Sequence, residues 1–255
     1  MFDTLNVDVD GAIGRVELNQ PDKLNPLSRL ALSELAEAAR WFDKQPSVKV
    51  VVVRGVGRAF SAGADLATFQ GQPEDDLRAA ADQGRLMAEA LESMRAVSIA
   101  AIHGWCVGGG LVLAAACDLR VATESAKFSI PEVDLGIPLA WGGIPRLVRE
   151  IGPARTKELV MTCRPFGASE ALASGFLNRV VVEQDLKVSV DELAKQLAGK
   201  ASYALFATKR HVNAVTEQMV GTMRSWSDAD GLLVALTDDE CREARERYLE
   251  HKGAR

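Results

Sequence analysis

Five valines in six residues, VKVVVV at 48–53, call for a strand buried on both faces. Before it, Leu27, Ala31, Leu35, Ala38 and Phe42 recur at helical spacing, and Pro46 closes that segment. The unit then repeats. A polar loop at 67–76 leads to a helix with Leu86, Met87, Leu91 and Met94 on one side. A second buried strand follows, SIAAIHG at 98–104, then three glycines and a helical run, then a third strand, LRVAT at 119–123. Repeated strand–loop–helix–strand units predict an α/β fold with a largely parallel sheet. At the N-terminus, Leu5, Val7 and Val9, then Ala12, Ile13, Val16 and Leu18, flank Asp10-Gly11 and predict a hairpin.

After about residue 150 the pattern turns to nearly all helix: ARTKELVMT, SEALASG, DLKVSVDELAKQLAG and the stretches 202–217 and 229–251. No Gly/Ser-rich linker divides the chain. We expect one functional unit, an α/β core over 1–195 with a helical region over 196–255 packed on it or on a neighbouring subunit.

Composition narrows the function. A net charge of -5 over 255 residues argues against a nucleic-acid binder, while a local basic patch could still hold an anionic ligand. The apolar runs are too short to span a membrane, and no basic segment followed by an apolar core marks the start of the chain, so a cytoplasmic protein is expected. Cys106, Cys117, Cys163 and Cys241 make no metal-type spacing with His103, His211 and His251, so no metal is expected.

Three segments carry the chemistry. GRAFSAGADL (57–66) follows the valine strand; Gly63 suits a strand-to-helix turn, or lets the N–H groups around Gly63 and Ala64 face a ligand. CVGGGLVLAAACDL (106–119) sets Gly108, Gly109 and Gly110 at the start of a helix, where bare N–H groups meet a phosphate or a developing oxyanion, or where the helix packs tightly on the sheet. Neither GxGxxG nor GxxxxGK[ST] is present. FSIPEVDLGIPLAWGG (128–143) holds Glu132 in apolar company, which raises a carboxyl pKa toward acid–base use; the alternative is a surface charge after Pro131. Ser61 lies in FSAGA rather than GxSxG, so a serine hydrolase would need a histidine brought to it by the fold.

In this order and separation, LNQPDKLNPLS (18–28), GRAFSAGADL, HGWCVGGGLVLAAACDLRVA, FSIPEVDLGI and ALFATKRHV (204–212) resemble the enoyl-CoA hydratase/isomerase (crotonase) superfamily, and the likeness spans essentially the whole chain. The resemblance implies a spiral of β-β-α repeats with a helical C-terminal trimerisation region, hence a homotrimer or hexamer. It implies an acyl-CoA thioester as substrate and no separate cofactor, coenzyme A being part of that substrate. By position it implies oxyanion donors at the N–H groups of Ala64 and Gly109 and a carboxylate at Glu132. It also implies coenzyme A contacts from Lys23, Ala62, Asp65, Leu66 and Lys209, and an acyl pocket near Val112 and Trp141, with Trp105 a further candidate.

One departure is informative. By the resemblance, two-glutamate hydratases carry an acid in a GGGxE element at the glycine run, where this chain has Val112; a further acid used by some relatives would fall eight positions after Glu132, where this chain has Ala140. A single base suffices to move a proton between two carbons, so isomerisation of an enoyl-CoA is the expectation. Hydration at an atypical site and a non-catalytic acyl-CoA binder are the alternatives.

Overall fold

The computed structural model describes residues 2–65 and 74–253. Strands β1 (Leu5–Asp10) and β2 (Ile13–Leu18) form the expected antiparallel hairpin. From β2 the chain repeats one move: a strand in a large sheet, a short strand in a second layer, then a helix. The successive turns are β2, β3 (Pro26–Leu27) and α1 (Arg29–Asp43); β4 (Val50–Gly55), β5 (Gly63–Ala64) and α2 (Glu74–Ser93); β6 (Val97–Ile102), β7 (Trp105–Val107) and α3 (Gly109–Ala115); and β8 (Leu119–Thr123), β9 (Lys127–Ser129) and α4 (Gly143–Thr162).

The large sheet runs β1-β2-β4-β6-β8 and ends on β11 (Arg179–Val181), parallel from β2 onward. Its valine strand is buried on both faces, as its composition requires. The short strands pair as β3 with β5 and as β10 (Phe166–Gly167), β9 and β7 in order; a bridge between Ser61 and Cys106 ties these two groups together. This is the spiral of β-β-α repeats.

Several details differ from the periodicity. Leu27 belongs to β3 rather than to the helix, because the Ser28 side chain caps α1 by accepting the Ala31 N–H at 3.2 Å. SIAAIHG ends as a strand at Ile102; His103 and Gly104 turn the chain into β7. The region after 150 is not all helix. β10 and β11 interrupt it, and β11 completes the large sheet on β8. α4 starts earlier, at Gly143, and breaks at Gly152, where φ is +75° ahead of Pro153.

The main core lies between the large sheet and the helices on one side, around Phe42, Phe60, Met87, Leu91 and Phe128. On the other face α6 (Leu186–Ala198) places Val190, Leu193 and Ala194 against Val50, Val52, Ile99 and Val121. After the short helix α5 (Ala168–Ala173) and α6 come α7 (Ser202–Met219), α8 (Asp228–Thr237) and α9 (Asp239–Gly253). α8 returns to the core, where Ala229 and Leu232 pack on Ala81 and Ile137. No helix among the described residues is long and apolar enough to cross a membrane.

Candidate active site

The FSAGAD segment is pinned from below. Asn25, 1% exposed, accepts the Gln20 N–H through Oδ1, and its Nδ2 donates to the carbonyls of Val56 and Ala59, each at 2.9 Å. Ser61 Oγ donates to the Asn25 carbonyl at 2.8 Å and accepts the Gly63 N–H at 3.1 Å. Its hydroxyl is therefore used by the backbone, and the three histidines hold other places: His103 Nε2 is bonded to the Gly57 carbonyl, and His211 and His251 are on α7 and α9. The N–H groups of Ala62 and Asp65 go to Leu24 and Leu27. Ala64 sits between them in the parallel β3–β5 pairing and lines the cavity; with the Asp65 N–H spent on β3, alternation along that ladder turns the Ala64 N–H away from β3.

Each glycine of the triplet has a different neighbour. Gly108 adopts φ +48°, and a Cβ there would overlap Glu132 Oε1. A Cβ at Gly109 would strike the benzo edge of Trp141, and one at Gly110 would stand 2.8 Å from Ser61 Cβ. The triplet thus brings a carboxylate, an indole and the FSAGAD turn onto one short backbone segment. α3 takes up the Leu111 and Val112 N–H groups at the Gly108 carbonyl, while the Gly109 N–H is in the first turn, where helices have no internal acceptor.

Glu132 follows β9, in a turn closed by the Ile137 N–H on its own carbonyl. The side chain is 9% exposed, and Oε2 has no hydrogen-bond partner among the described residues. Burial pushes its pKa up to about 7. The side chain faces a cavity of about 40 Å³ lined by Ala64, Gly109, Val112 and Glu132, by the loop 137–141, and by Leu232 of α8. Two N–H donors, one buried carboxyl poised near neutrality and otherwise apolar walls suit proton transfer beside a carbonyl that becomes negative.

The expected residues thus divide. Ala64, Gly109, Val112, Glu132, Trp141 and Ala140 share the cavity. Ala62 and Asp65 flank Ala64, and Lys23 is exposed one residue from Leu24, whose carbonyl receives the Ala62 N–H. Leu66 lies outside the described residues. Trp105 is 40% exposed with Lys127 Nζ over its ring, away from the cavity lining. Lys209 is 8% exposed; its Nζ pairs with Asp118 Oδ2 at 2.8 Å and donates to the Ala96 carbonyl at 3.0 Å, so its ammonium is committed to the fold. Larger grooves of about 600 and 400 Å³ flank α7 and contain Lys209, but no member of the Glu132 group.

Asn25, Arg146, Asp228 and Leu232 have roles that sequence reasoning did not assign. Asn25 lies inside a quoted motif, so a signal was present; Arg146 in PRLVRE reads as a surface charge, and Asp228 and Leu232 reach the site only through the return of α8.

The family model described as enoyl-CoA hydratase/isomerase matches residues 8–255. The chain is 31% identical to a crotonyl-CoA hydratase of Syntrophomonas wolfei, over 99% of this chain and 97% of the relative. It is 32% identical to a peroxisomal Delta(3,5)-Delta(2,4)-dienoyl-CoA isomerase of Arabidopsis thaliana, over 93% and 90%. A crystal structure of an enoyl-CoA hydratase/isomerase from Mycobacterium paratuberculosis superposes with a TM-score of 0.88 at 27% identity, covering 96% of this chain and 99% of that one.

Proposed function

Because this chain belongs to the enoyl-CoA hydratase/isomerase family, we propose that it moves the double bond of an enoyl-CoA thioester, with Glu132 as the single acid–base group. The observation that carries this reading is that, among the described residues, Glu132 is the only carboxyl lining the cavity, with Val112 and Ala140 apolar beside it. The Glu132 carboxylate removes a proton from C2 of a 3-enoyl thioester. The electron pair delocalises onto the thioester oxygen, held by the Ala64 and Gly109 N–H groups, and the protonated Glu132 returns the proton to C4, leaving the double bond at C2–C3. One well-placed oxyanion donor is worth roughly 3–4 kcal/mol in such a step.

Lys23, Ala62 and Asp65, beside the donor strand, are the residues proposed to meet coenzyme A. A homotrimer or hexamer is the proposed assembly; the exposure of Val212, Val215 and Met219 on one face of α7 supports a partner there.

Hydration of a 2-enoyl-CoA is the second reading, favoured by the name of the Syntrophomonas relative. Purified protein is incubated with 3-hexenoyl-CoA and with crotonyl-CoA while the products are followed chromatographically. Conversion of the former to the 2-enoyl ester supports isomerisation. Water addition to the latter alone selects hydration, and acyl-CoA binding without turnover of either, longer chains included, selects a binding protein.

A further inference from the structure

Trp141 is the largest side chain lining the Glu132 cavity, and its backbone is unusual. Its φ is +62°, a left-handed conformation that a bulky residue rarely adopts, and Gly142 follows at φ +67°. The dipeptide is gripped from two directions. Arg146 Nη1 donates to the Trp141 carbonyl at 3.2 Å and to the Gly142 carbonyl at 3.1 Å, while Asp228 Oδ2 accepts the Gly142 N–H at 2.8 Å. Arg146 is 2% exposed, and Glu92 answers its charge with Oε2 at 2.5 Å from Nη2. Bonds with one ionised partner in a dry setting are the strong ones, which is what a left-handed tryptophan needs to persist.

The indole fills a slot left by two absent side chains. A Cβ at Gly84, inside α2, would run into Cγ, Cδ2 and Cε2 of the ring, and one at Gly109 would run into Cζ3. A glycine inside a helix lowers its stability, and here its bare Cα makes room for the ring. Gly109 also carries one of the N–H groups proposed to hold the thioester oxygen, so the benzo edge lies beside the reacting end of the substrate. With the indole in place the cavity measures about 40 Å³.

We infer that Trp141 restricts the acyl group to short chains, and that Arg146 and Asp228 are positioning residues that fix the indole. Through Asp228, the C-terminal helices take part in substrate selection. This rests on the acyl-CoA reading above.

The test is calorimetric affinity for butanoyl-, octanoyl- and dodecanoyl-CoA in wild type, Trp141→Phe, Trp141→Ala, Asp228→Ala and Asp228→Asn. Trp141→Ala is expected to raise the dodecanoyl-to-butanoyl affinity ratio about tenfold or more, with Trp141→Phe between it and wild type. Asp228→Ala moves the ratio in the same direction, and Asp228→Asn, whose side-chain oxygen still accepts the Gly142 N–H, restores it. Partial loss of folded protein scales all three ligands alike and leaves the ratio unmoved. If Trp141→Ala does not fold, Trp141→Phe carries the test. A wild-type ratio in the Trp141 variants overturns the inference while the acyl-CoA reading stands, and a wild-type ratio in Asp228→Ala removes Asp228 from the positioning role. Absence of binding by wild type to every acyl-CoA overturns the acyl-CoA reading itself.

Discussion

Glu132 Oε1 rests against the bare Cα of Gly108, so closely that a Cβ at that glycine would overlap the carboxylate. The glycine therefore leaves the room in which the Glu132 carboxyl stands. In Gly108→Ala the carboxylate must swing away, and the φ of +48° becomes strained as well. We expect kcat to fall ~100-fold, the cost of roughly 1 Å of misplacement. Steady-state kinetics beside thermal melting check this; a melting change with kcat intact would show that Gly108 serves only the fold.

Activity that needs ionised Glu132 rises with pH and inflects near 7, where burial has moved this group. The stability effect has the opposite sense. The folded-state pKa lies above the usual 4.5, so the folded protein holds the proton more tightly, and stability is fully present below pH 4.5. It is lost as pH rises through about 7, by about 3 kcal/mol in total. Denaturant melts at pH 5 and pH 8 should show the wild type losing this increment and Glu132→Gln retaining it.

Val112 is fully buried beside the cavity, at the position where a second acid would make a two-carboxylate site. Val112→Glu should raise the ratio of hydration to isomerisation, measured on crotonyl-CoA and 3-hexenoyl-CoA. It should also lower stability by ~2–4 kcal/mol above neutral pH, because a second carboxylate is desolvated next to Glu132.

Asn25 ties the N-terminal element to the loop before FSAGAD with bonds to Gln20, Val56 and Ala59. Asn25→Ala leaves the buried Ala59 carbonyl and the half-buried Gln20 and Val56 groups without this partner and should cost ~2–4 kcal/mol. A melting temperature lower by ~5–10 °C is the expected reading.

The large-sheet strands are legible because unbroken β-branched runs such as VKVVVV have one stable use, a strand with both faces covered. The second layer is not legible in the same way. β3, β5 and β10 have two residues each, too few to show a period, and β7 hides behind the Gly104 turn. Within the site, Ala64, Gly109, Val112, Glu132 and Trp141 do converge, and motif order anticipates that grouping. Lys209, which the resemblance makes a coenzyme A contact, is paired by the fold with Asp118, a partner that only tertiary structure reveals. Leu232 and Asp228 sit in a helix whose pattern says nothing of its destination; the satellite packing on Ala81 and Ile137 brings Leu232 to the Glu132 cavity and Asp228 to the Gly142 N–H.

We propose that Glu132 alone moves the proton. Its most direct test is kcat for conversion of 3-hexenoyl-CoA to the 2-enoyl ester by wild type and by Glu132→Gln, which keeps the shape and removes the titrating group. A fall of ~100- to 10,000-fold with little change in KM is expected. A variant that isomerises at the wild-type rate would contradict it.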